Sequence, residues 1–432
     1  WSTAAESNGH EHGFTGVRRT ALTLTTALLA VACTSRPSQP DAEEPPPQET
    51  GASEAGTSGT DEYADLALRE HWRAMRAVRP VEGSAMPPKH LNEEWFPTTL
   101  VERTEIVSGG PPPDGIPSID EPVFAPVDDV EDLDDDEAVI VLERDDTTRI
   151  YPVRIMIWHE IVNDDVDGTP ITVTYCPLCN SAIAYLRTVG DDVLDFGTSG
   201  HLYRSAMVMY DRQTESLWTH FDGRAVVGTA IGTQLERLPV ATVSWEQAAE
   251  AHPDALVLRG DPDARKPYGT NRYVGYDQAD EPLSGWFTVD IPEPIPPMTR
   301  VVGVRTDAGE WAVPTDTVAE RGVVTSSIGE REFAVFHRAG TASPLHRQDV
   351  ADGDDIGSTG VFDTTVEGRR LTFRRSSGVI SDLETNSVWD VRGRAIVGPL
   401  VGAELVELEH LDTFWFAWVA HHPETVVVVP GD

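Results

Sequence analysis

Two cysteines three positions apart are the residues of this chain whose type and spacing most directly indicate chemistry. They form the C-x-x-C motif Cys176-Pro-Leu-Cys179, and the only other cysteine among the 432 residues is Cys33. Such a motif places two sulfurs on one tight turn, where they can bind a metal ion, cycle between dithiol and disulfide, or form an inert structural disulfide. The spacing alone leaves these three alternatives open.

A metal site would need more ligands than this one pair. Zinc and copper are held by three or four nitrogen or sulfur atoms, so two cysteines require further side chains. His159 precedes the cysteines along the chain and His201 follows a glycine, and both can complete the set. We therefore predict a zinc or copper site formed by Cys176, Cys179, His159 and His201.

Three polar residues lie close to His159 along the chain, namely Glu160, Asn163 and Asp164. They can orient its imidazole, and a carboxylate among them can act as a general base. Asn163 stands where the second histidine of an H-E-x-x-H zinc-protease motif would be. Phosphate-binding glycine loops, a Rossmann fingerprint and a G-x-S-x-G motif are also missing from the sequence, which argues against hydrolase and nucleotide-enzyme functions.

An internal duplication indicates which elements position these residues. Asp211-Arg-Gln-Thr-Glu-Ser-Leu-Trp218 matches Asp382-Leu-Glu-Thr-Asn-Ser-Val-Trp389, and Gly223-Arg-Ala-Val-Val-Gly228 matches Gly393-Arg-Ala-Ile-Val-Gly398. One unit of about 125 residues is therefore used twice, around 138–260 and 299–430. Features present in both copies are expected to serve the fold, and features present in one copy are better candidates for chemistry.

The predicted metal ligands occur in the first copy only. The register pairs them with different residues of the second copy: Cys176 with His337, Cys179 with Gly340, His159 with Glu320 and His201 with Val361. Glu160, Asn163 and Asp164 likewise lack counterparts. This asymmetry places the chemistry of the chain in the first copy.

The local patterns predict a β-rich α+β fold. Residues 138–142 and 149–153 read as a hairpin, and 155–162 has apolar residues at helical spacing. Strands are predicted at 169–175, 181–186 and 206–210, with a short helix at 246–252 before a strand at 255–258. We expect the two copies to pack about a pseudo-twofold axis, with domains at 101–260 and 299–432 and a linker at 261–298.

The N-terminal region is typical of an exported lipoprotein. Arg18-Arg19 precedes an apolar run, Ala21 to Ala32, and Ala30-Val-Ala-Cys33 is a lipobox in which the thiol of Cys33 would be acylated. Residues 1–33 are thus predicted to be a signal peptide, and 34–100 a tether with an N-terminal extension. We expect an extracytoplasmic protein held at the cell-surface membrane through lipid on Cys33.

The charge of the chain limits its partners. It has 72 acidic and 33 basic residues, a formal net charge of -39, and lysine only at Lys89 and Lys266. Such a surface repels nucleic acid and anionic lipid, so neither is an expected partner. The composition is typical of proteins from high-salt organisms.

Several longer motifs resemble a known family. They are Ser108-Gly-Gly-Pro-Pro-Pro-Asp-Gly-Ile-Pro117, Trp158-His-Glu-Ile-Val-Asn-Asp164, Thr174-Tyr-Cys-Pro-Leu-Cys179, Val208-Met-Tyr-Asp-Arg212, Phe414-Trp-Phe-Ala-Trp418 and His422-Pro-Glu-Thr425. Together they resemble the prokaryotic family catalogued as domain of unknown function 3179, over residues 104–428. The resemblance implies export or lipid anchoring, and it brings no established activity.

The sequence therefore predicts a membrane-anchored lipoprotein with a zinc or copper site in its first repeat. A thiol–disulfide redox protein that uses Cys176 and Cys179 is one alternative, and a non-enzymatic cell-surface interaction module is another. Whether the chain is an enzyme, and which protein or small molecule it meets, does not follow from the sequence.

Overall fold

Short antiparallel strands make up most of the fold. The structure is a computed structural model that describes residues 99–261, 265–283, 287, 289–293 and 295–427. The predicted signal peptide, Cys33 and most of the predicted N-terminal extension lie outside the described residues. Within these ranges no helix has the length and apolar character needed to cross a membrane.

The first half, residues 99–260, contains sixteen of the described strands and two α-helices. The strands are β1 (Ile106–Ser108), β2 (Val123–Pro126), β3 (Ala138–Arg144), β4 (Thr147–Pro152), β5 (Ile161–Val166), β6 (Thr169–Cys176), β7 (Ser181–Leu186), β8 (Thr188–Val189), β9 (Asp192–Val193), β10 (Phe196–Tyr203), β11 (Ala206–Asp211), β12 (Leu217–Thr219), β13 (Ala225–Val227), β14 (Arg237–Leu238), β15 (Ala241–Ser244) and β16 (Leu256–Arg259). The helices are α1 (Val153–His159) and α2 (Trp245–Ala251).

The second half, residues 299–427, contains the remaining described strands and helices. The strands are β17 (Arg300–Thr306), β18 (Gly309–Pro314), β19 (Val323–Ile328), β20 (Arg331–Arg338), β21 (Ser358–Asp363), β22 (Thr365–Val366), β23 (Arg369–Arg370), β24 (Phe373–Ser376), β25 (Val379–Asp382), β26 (Val388–Trp389), β27 (Ala395–Val397), β28 (His410–Phe414) and β29 (Val426–Val427). The helices are α3 (Thr315–Arg321) and α4 (Trp415–His421).

Three sheets of the first half position the candidate site. Their strand orders are β15-β3-β4-β16-β2, β14-β7-β6-β5 and β1-β10-β11-β12-β13. The second half has sheets ordered β28-β17-β18-β29, β19-β20-β21 and β24-β25-β26-β27. A hairpin, a seven-residue helix and a second hairpin follow one another in both halves, at β3 to β6 and at β17 to β20. The chain is therefore β-rich with few helices, as predicted.

The helix predicted at 155–162 is shorter and begins earlier than the sequence indicates. It covers Val153–His159 and ends at Glu160, which has a left-handed backbone with φ of 60°. Ile161 and Val162, which supplied part of the helical spacing, begin β5 instead. Both are fully buried, and adjacent apolar residues are typical of a strand that is buried on both faces, so they fit β5 as well as a helix.

The repeated Asp-x-x-Thr-x-Ser-x-Trp motifs make the same hydrogen bonds in each half. In the first half the Trp218 indole N–H donates to Asp211 Oδ2 at 2.9 Å, and the Thr214 hydroxyl donates to the same oxygen at 2.6 Å. In the second half Trp389 and Thr385 donate to Asp382 Oδ2 at 3.0 and 2.9 Å. A buried carboxylate thus anchors a tryptophan in each small sheet.

The largest apolar cluster includes residues from both halves. Cys176 and Cys179 of the first half belong to it together with Phe414, Trp415 and Trp418 of the second half. The corner between β28 and α4 therefore packs into the core that surrounds the C-x-x-C turn.

Replacing Asp211 with alanine tests the anchoring role of the buried carboxylate. We expect Asp211→Ala to lower the free energy of unfolding by about 3 kcal/mol, because the buried Trp218 N–H and Thr214 hydroxyl lose their acceptor. Asp382→Ala should have an effect of similar size, whereas Asp191→Ala, at an exposed position, should change stability by less than about 0.5 kcal/mol. Urea unfolding followed by tryptophan fluorescence measures all three, and a small effect at Asp211 would contradict the proposed role.

Candidate thiol site

The C-x-x-C motif forms the turn between two neighbouring strands. Cys176 is the last residue of β6, and Ser181, the first residue of β7, is its directly opposite partner. The turn closes through a bond from the Asn180 N–H to the Pro177 carbonyl at 3.2 Å, with Asn180 in a left-handed conformation. Both cysteines are free thiols, and they are 1% and 0% exposed.

The strand register places several polar side chains on one face of this sheet. Cys176 lies opposite Ser181, and Thr174 lies opposite Ile183. Because directly opposite residues in an antiparallel pair point to the same face, Thr174, Cys176 and Ser181 share a face. His220, which follows β12 in the adjacent sheet, lies against this face and contacts Thr174 and Ser181. We call Thr174, Cys176, Cys179, Ser181 and His220 the thiol cluster.

Hydrogen bonds link Cys179 to the imidazole of His220 in a defined direction. The Thr174 hydroxyl donates to the Ile183 carbonyl at 2.8 Å, so its oxygen accepts from the Nδ1–H of His220 at 3.2 Å. The Nε2 of His220 is then an acceptor, and the Ser181 hydroxyl donates to it at 2.9 Å. With its own proton donated to His220, the Ser181 oxygen can accept the S–H of Cys179, whose sulfur lies 3.0 Å from it and 3.8 Å from the Cys176 carbonyl. The chain of donors therefore runs from Cys179 through Ser181 to His220.

Burial keeps both ends of this chain neutral. Desolvation raises the pKa of the Cys179 thiol well above its usual range, and the neighbouring Cys176 raises it further. Desolvation lowers the pKa of His220 to about 3, and Arg237 and His421 act in the same direction. At neutral pH the cluster therefore holds a protonated thiol beside an imidazole with a free acceptor nitrogen.

Backbone contacts from other parts of the chain fix the turn. The Cys179 carbonyl accepts from the Thr413 hydroxyl at 2.6 Å and from the Phe414 N–H at 3.2 Å, both at the end of β28. The Tyr276 hydroxyl, from the segment between the halves, donates to the Leu178 carbonyl at 2.9 Å. The second half and the connecting segment thus hold the cysteines of the first half in place.

His159 lies at the end of α1, with a hydrogen-bond partner at each ring nitrogen. Its Nδ1 is 2.8 Å from the Pro117 carbonyl and its Nε2 is 2.8 Å from the Tyr268 hydroxyl. Burial lowers its pKa, so the ring is neutral at pH 7. These contacts join α1 to the segments on either side of it, and neither of them is to a cysteine.

His201 lies on another sheet. It is in β10, opposite Ser108 and Val208, and its Nδ1 is 3.2 Å from the Ser199 carbonyl. Burial lowers its pKa as well. Within the described ranges, no group of three or more histidine, cysteine, aspartate or glutamate side chains has an arrangement that could hold a metal ion.

The three polar residues near His159 have partners of their own. Glu160 accepts from the Tyr273 hydroxyl at 3.4 Å, and burial raises its pKa to about 7. Asn163 donates to Asp120 at 2.7 Å and to the Phe196 carbonyl at 2.8 Å. Asp164 accepts from Tyr151 at 2.7 Å and lies 3.6 Å from Arg149. These bonds connect β5 to its surroundings and do not orient the His159 ring.

Sequence reasoning missed Thr174, Ser181 and His220. A signal for His220 was present, because the matched motifs end at Trp218 and resume at Gly223, and the intervening Thr-His-Phe-Asp faces the shorter Asp-Val-Arg of the second copy. The asymmetry that singled out the cysteines therefore also applies to His220. The two hydroxyl residues have no comparable signal, since Thr and Ser are common in strands of any function.

Acid unfolding tests the buried, neutral state of His220. In the folded protein its imidazole takes up a proton only near its depressed pKa of about 3, whereas in the unfolded chain it does so near 6.5. Stability from this group is therefore fully present above about pH 6.5 and is lost as the pH falls, by up to about 1.4 kcal/mol per pH unit. We expect the free energy of unfolding to fall less steeply between about pH 6 and 4 in His220→Gln than in the unchanged protein. Urea titrations at several pH values measure this slope. Ser181→Ala keeps the imidazole and should keep the slope, and equal slopes in all three proteins would contradict the assignment.

Comparisons with known proteins give a family and no activity. A search among curated proteins finds no match, and a search among solved structures also finds none. The family model described as "Protein of unknown function (DUF3179)" matches residues 113–425, which covers most of the described chain and confirms the resemblance seen in the motifs. The chain therefore belongs to the DUF3179 family.

Proposed function

We propose that this protein is a thiol–disulfide redox protein whose reactive pair is Cys176 and Cys179. The observation that carries the proposal is the directed chain of hydrogen bonds from the Cys179 thiol through Ser181 to the free acceptor nitrogen of His220. A thiol must lose its proton to become a nucleophile, and this chain supplies a base and a route for that proton inside a buried site.

The proposed reaction is exchange with a disulfide of a partner molecule. The step takes place once the turn has opened and water reaches the cluster, because burial no longer lowers the pKa of His220 or raises that of Cys179. The Cys179 proton then moves through Ser181 to His220, and the resulting thiolate attacks one sulfur of the partner disulfide. That S–S bond breaks, and the departing partner thiolate takes up a proton. Cys176 then loses its proton and displaces the second partner sulfur, which leaves a Cys176–Cys179 disulfide and a partner dithiol. The cysteine pair is oxidised by two electrons and the partner disulfide is reduced by the same two.

Burial makes the reaction depend on opening of the turn. Both thiols are covered, and the turn is held by Thr413, Phe414 and Tyr276. A partner disulfide can reach the sulfur only when these contacts separate. The closed state covers both sulfurs and raises the pKa of the Cys179 thiol, so the proposed activity belongs to an opened state.

Zinc or copper binding is the second candidate. Cys176, Cys179 and His220 are parts of one cluster, in which a single hydroxyl separates the imidazole from one sulfur, and they would have to rearrange to hold a metal ion. Two thiolates and an imidazole are a suitable partial ligand set for either metal. His159 and His201, the ligands that the sequence predicts, would have to give up their present hydrogen bonds before either could bind a metal ion with the cysteines.

Mass spectrometry after differential alkylation tests the redox proposal. After oxidation by a small disulfide, Cys176 and Cys179 should resist alkylation in denaturant, and a dithiol reductant should restore alkylation of both. Ser181→Ala should slow the oxidation by about tenfold or more, because the proton route is interrupted. Ser199→Ala is the matched control, since Ser199 is a fully buried first-half serine whose hydroxyl bonds to the Val208 carbonyl.

Elemental analysis of the same preparation separates the two candidates. Stoichiometric zinc or copper that disappears in the Cys176→Ser, Cys179→Ser double variant would favour the metal site. Thiols that never form a reversible intramolecular disulfide under these conditions would rule out the redox proposal.

We also propose that the described body consists of two tandem copies of one unit, related by a pseudo-twofold axis. The proposal is supported by the matching order of elements at β3 to β6 and β17 to β20, and by the matching bonds of Asp211 and Asp382. Under this proposal, a comparison of the halves identifies the residues that one copy has and the other lacks.

Attachment to the membrane through Cys33 is a further proposal, and it rests on the lipobox sequence alone. We expect the full precursor, expressed in a lipoprotein-processing bacterium, to fractionate with membranes and to incorporate a labelled fatty acid. Cys33→Ser should abolish the labelling and release the protein, whereas Cys176→Ser should do neither. Labelling that persists in Cys33→Ser would contradict lipidation at this residue.

A further inference from the structure

The small sheet β24-β25-β26-β27 of the second half has an outer face on which valines are exposed to solvent. Its register aligns Arg374, Ser381, Val388 and Val397 in one row across the four strands. Val379, two residues before Ser381 on β25, lies on the same face. Val379 is 44% exposed and Val397 is 58% exposed. We call Val379, Val388 and Val397 the second-half valine face.

The corresponding sheet of the first half has the same register. Gly197, Tyr210, Leu217 and Val227 form the row across β10 to β13. The matched motifs Asp211 to Trp218 and Gly223 to Gly228 make Tyr210, Leu217 and Val227 equivalent to Ser381, Val388 and Val397. Strand pairing extends the row to Gly197 of β10 and Arg374 of β24. This pairing differs from the sequence register, which sets His201 of β10 against Val361 of β21. Val208 is therefore equivalent to Val379, and Val227 to Val397.

In the first half this face is covered by an extended segment of the chain itself. Val208 and Val227 are fully buried in a cluster with Ile106, and Leu100 and Val101 pack against that cluster. The segment also pairs with the sheet through its backbone, because the Leu100 N–H donates to the Val226 carbonyl at 2.9 Å and Thr99 bridges to Val227. Residues 99–108 thus run from the edge strand β13, which Thr99 contacts, to β10, with which β1 pairs.

The covering segment combines aliphatic residues with carboxylates. Its sequence is Thr99-Leu-Val-Glu-Arg-Thr-Glu-Ile-Val107, and Glu105 lies 3.4 Å from Arg204 at the end of β10. In the second half the equivalent row contains an exposed arginine, Arg374, where the first half has Gly197. An exposed guanidinium beside exposed valines suits a segment with the same two kinds of side chain.

We propose that the second-half valine face binds an extended segment of a partner protein that carries aliphatic residues together with carboxylates. The segment would lie over the face as residues 99–107 do in the first half, with strand pairing along the edge strand β27. Burial of the valines supplies the affinity, and Arg374 favours an acidic partner. This inference is independent of the thiol chemistry, because none of these residues belongs to the thiol cluster.

A peptide with the sequence of residues 99–109 is the probe, because it already covers the equivalent face in the first half. Fluorescence anisotropy of the labelled peptide with the full chain should show saturable binding. Val397→Asp should weaken that binding by about tenfold or more, since a charge replaces a buried aliphatic contact. Arg374→Glu should weaken it as well, and more at low salt than at high salt.

Two controls make the experiment decisive. Val123→Asp alters a valine of the first half that is similarly exposed, at 66%, and should leave binding unchanged. A scrambled peptide of the same composition should bind at least tenfold more weakly than the probe. Three results would overturn the proposal: no saturable binding, binding that Val397→Asp leaves intact, or a dimer of the full chain in sedimentation that Val397→Asp dissociates. The last result would identify a second copy of the chain as the occupant.

Discussion

The carbonyl group of Cys179 is the constraint on which the arrangement of the candidate site depends. It lies in the core, where an unpaired carbonyl would be costly, and both of its hydrogen bonds come from the end of β28 in the second half. The position of the C-x-x-C turn is therefore set by an element more than two hundred residues further along the chain. Neither half could present the thiols in this geometry without the other.

The need to pair every buried polar group also shapes the thiol cluster, which is polar in an otherwise apolar core. Thr174, Ser181 and His220 each have a donor or acceptor that must be satisfied once the sheets enclose them. They satisfy one another in a single direction, ending at the Ile183 carbonyl. A chain of this kind leaves Nε2 of His220 as the acceptor for the Ser181 hydroxyl, while burial keeps both the Cys179 thiol and the imidazole neutral.

The sequence allowed the β-rich fold, the strand with the cysteines and the family to be predicted, because these follow from local alternation and from long motifs. It did not allow the partners of the cysteines to be predicted, because that pairing depends on how separate sheets pack. His159 is 17 residues before Cys176 in the sequence, yet its ring faces Pro117 and Tyr268. His220 is 41 residues after Cys179, and its contacts with Thr174 of β6 and Ser181 of β7 bring it to the site. The helix end was misplaced for a related reason, since Ile161 and Val162 suit a buried strand as well as an amphipathic helix.

The two halves differ in complementary ways. The first half carries the thiols and the imidazole, and its outer sheet face is closed by residues 99–108. The second half has His337 and Gly340 in place of the cysteines, and its outer sheet face is open. If one unit is used twice, as proposed, its packing residues are needed in both halves, whereas a reactive site is needed in only one. The proposed binding surface lies where the two halves differ, at Arg374 and the exposed Val397 of the second half against Gly197 and the covered Val227 of the first.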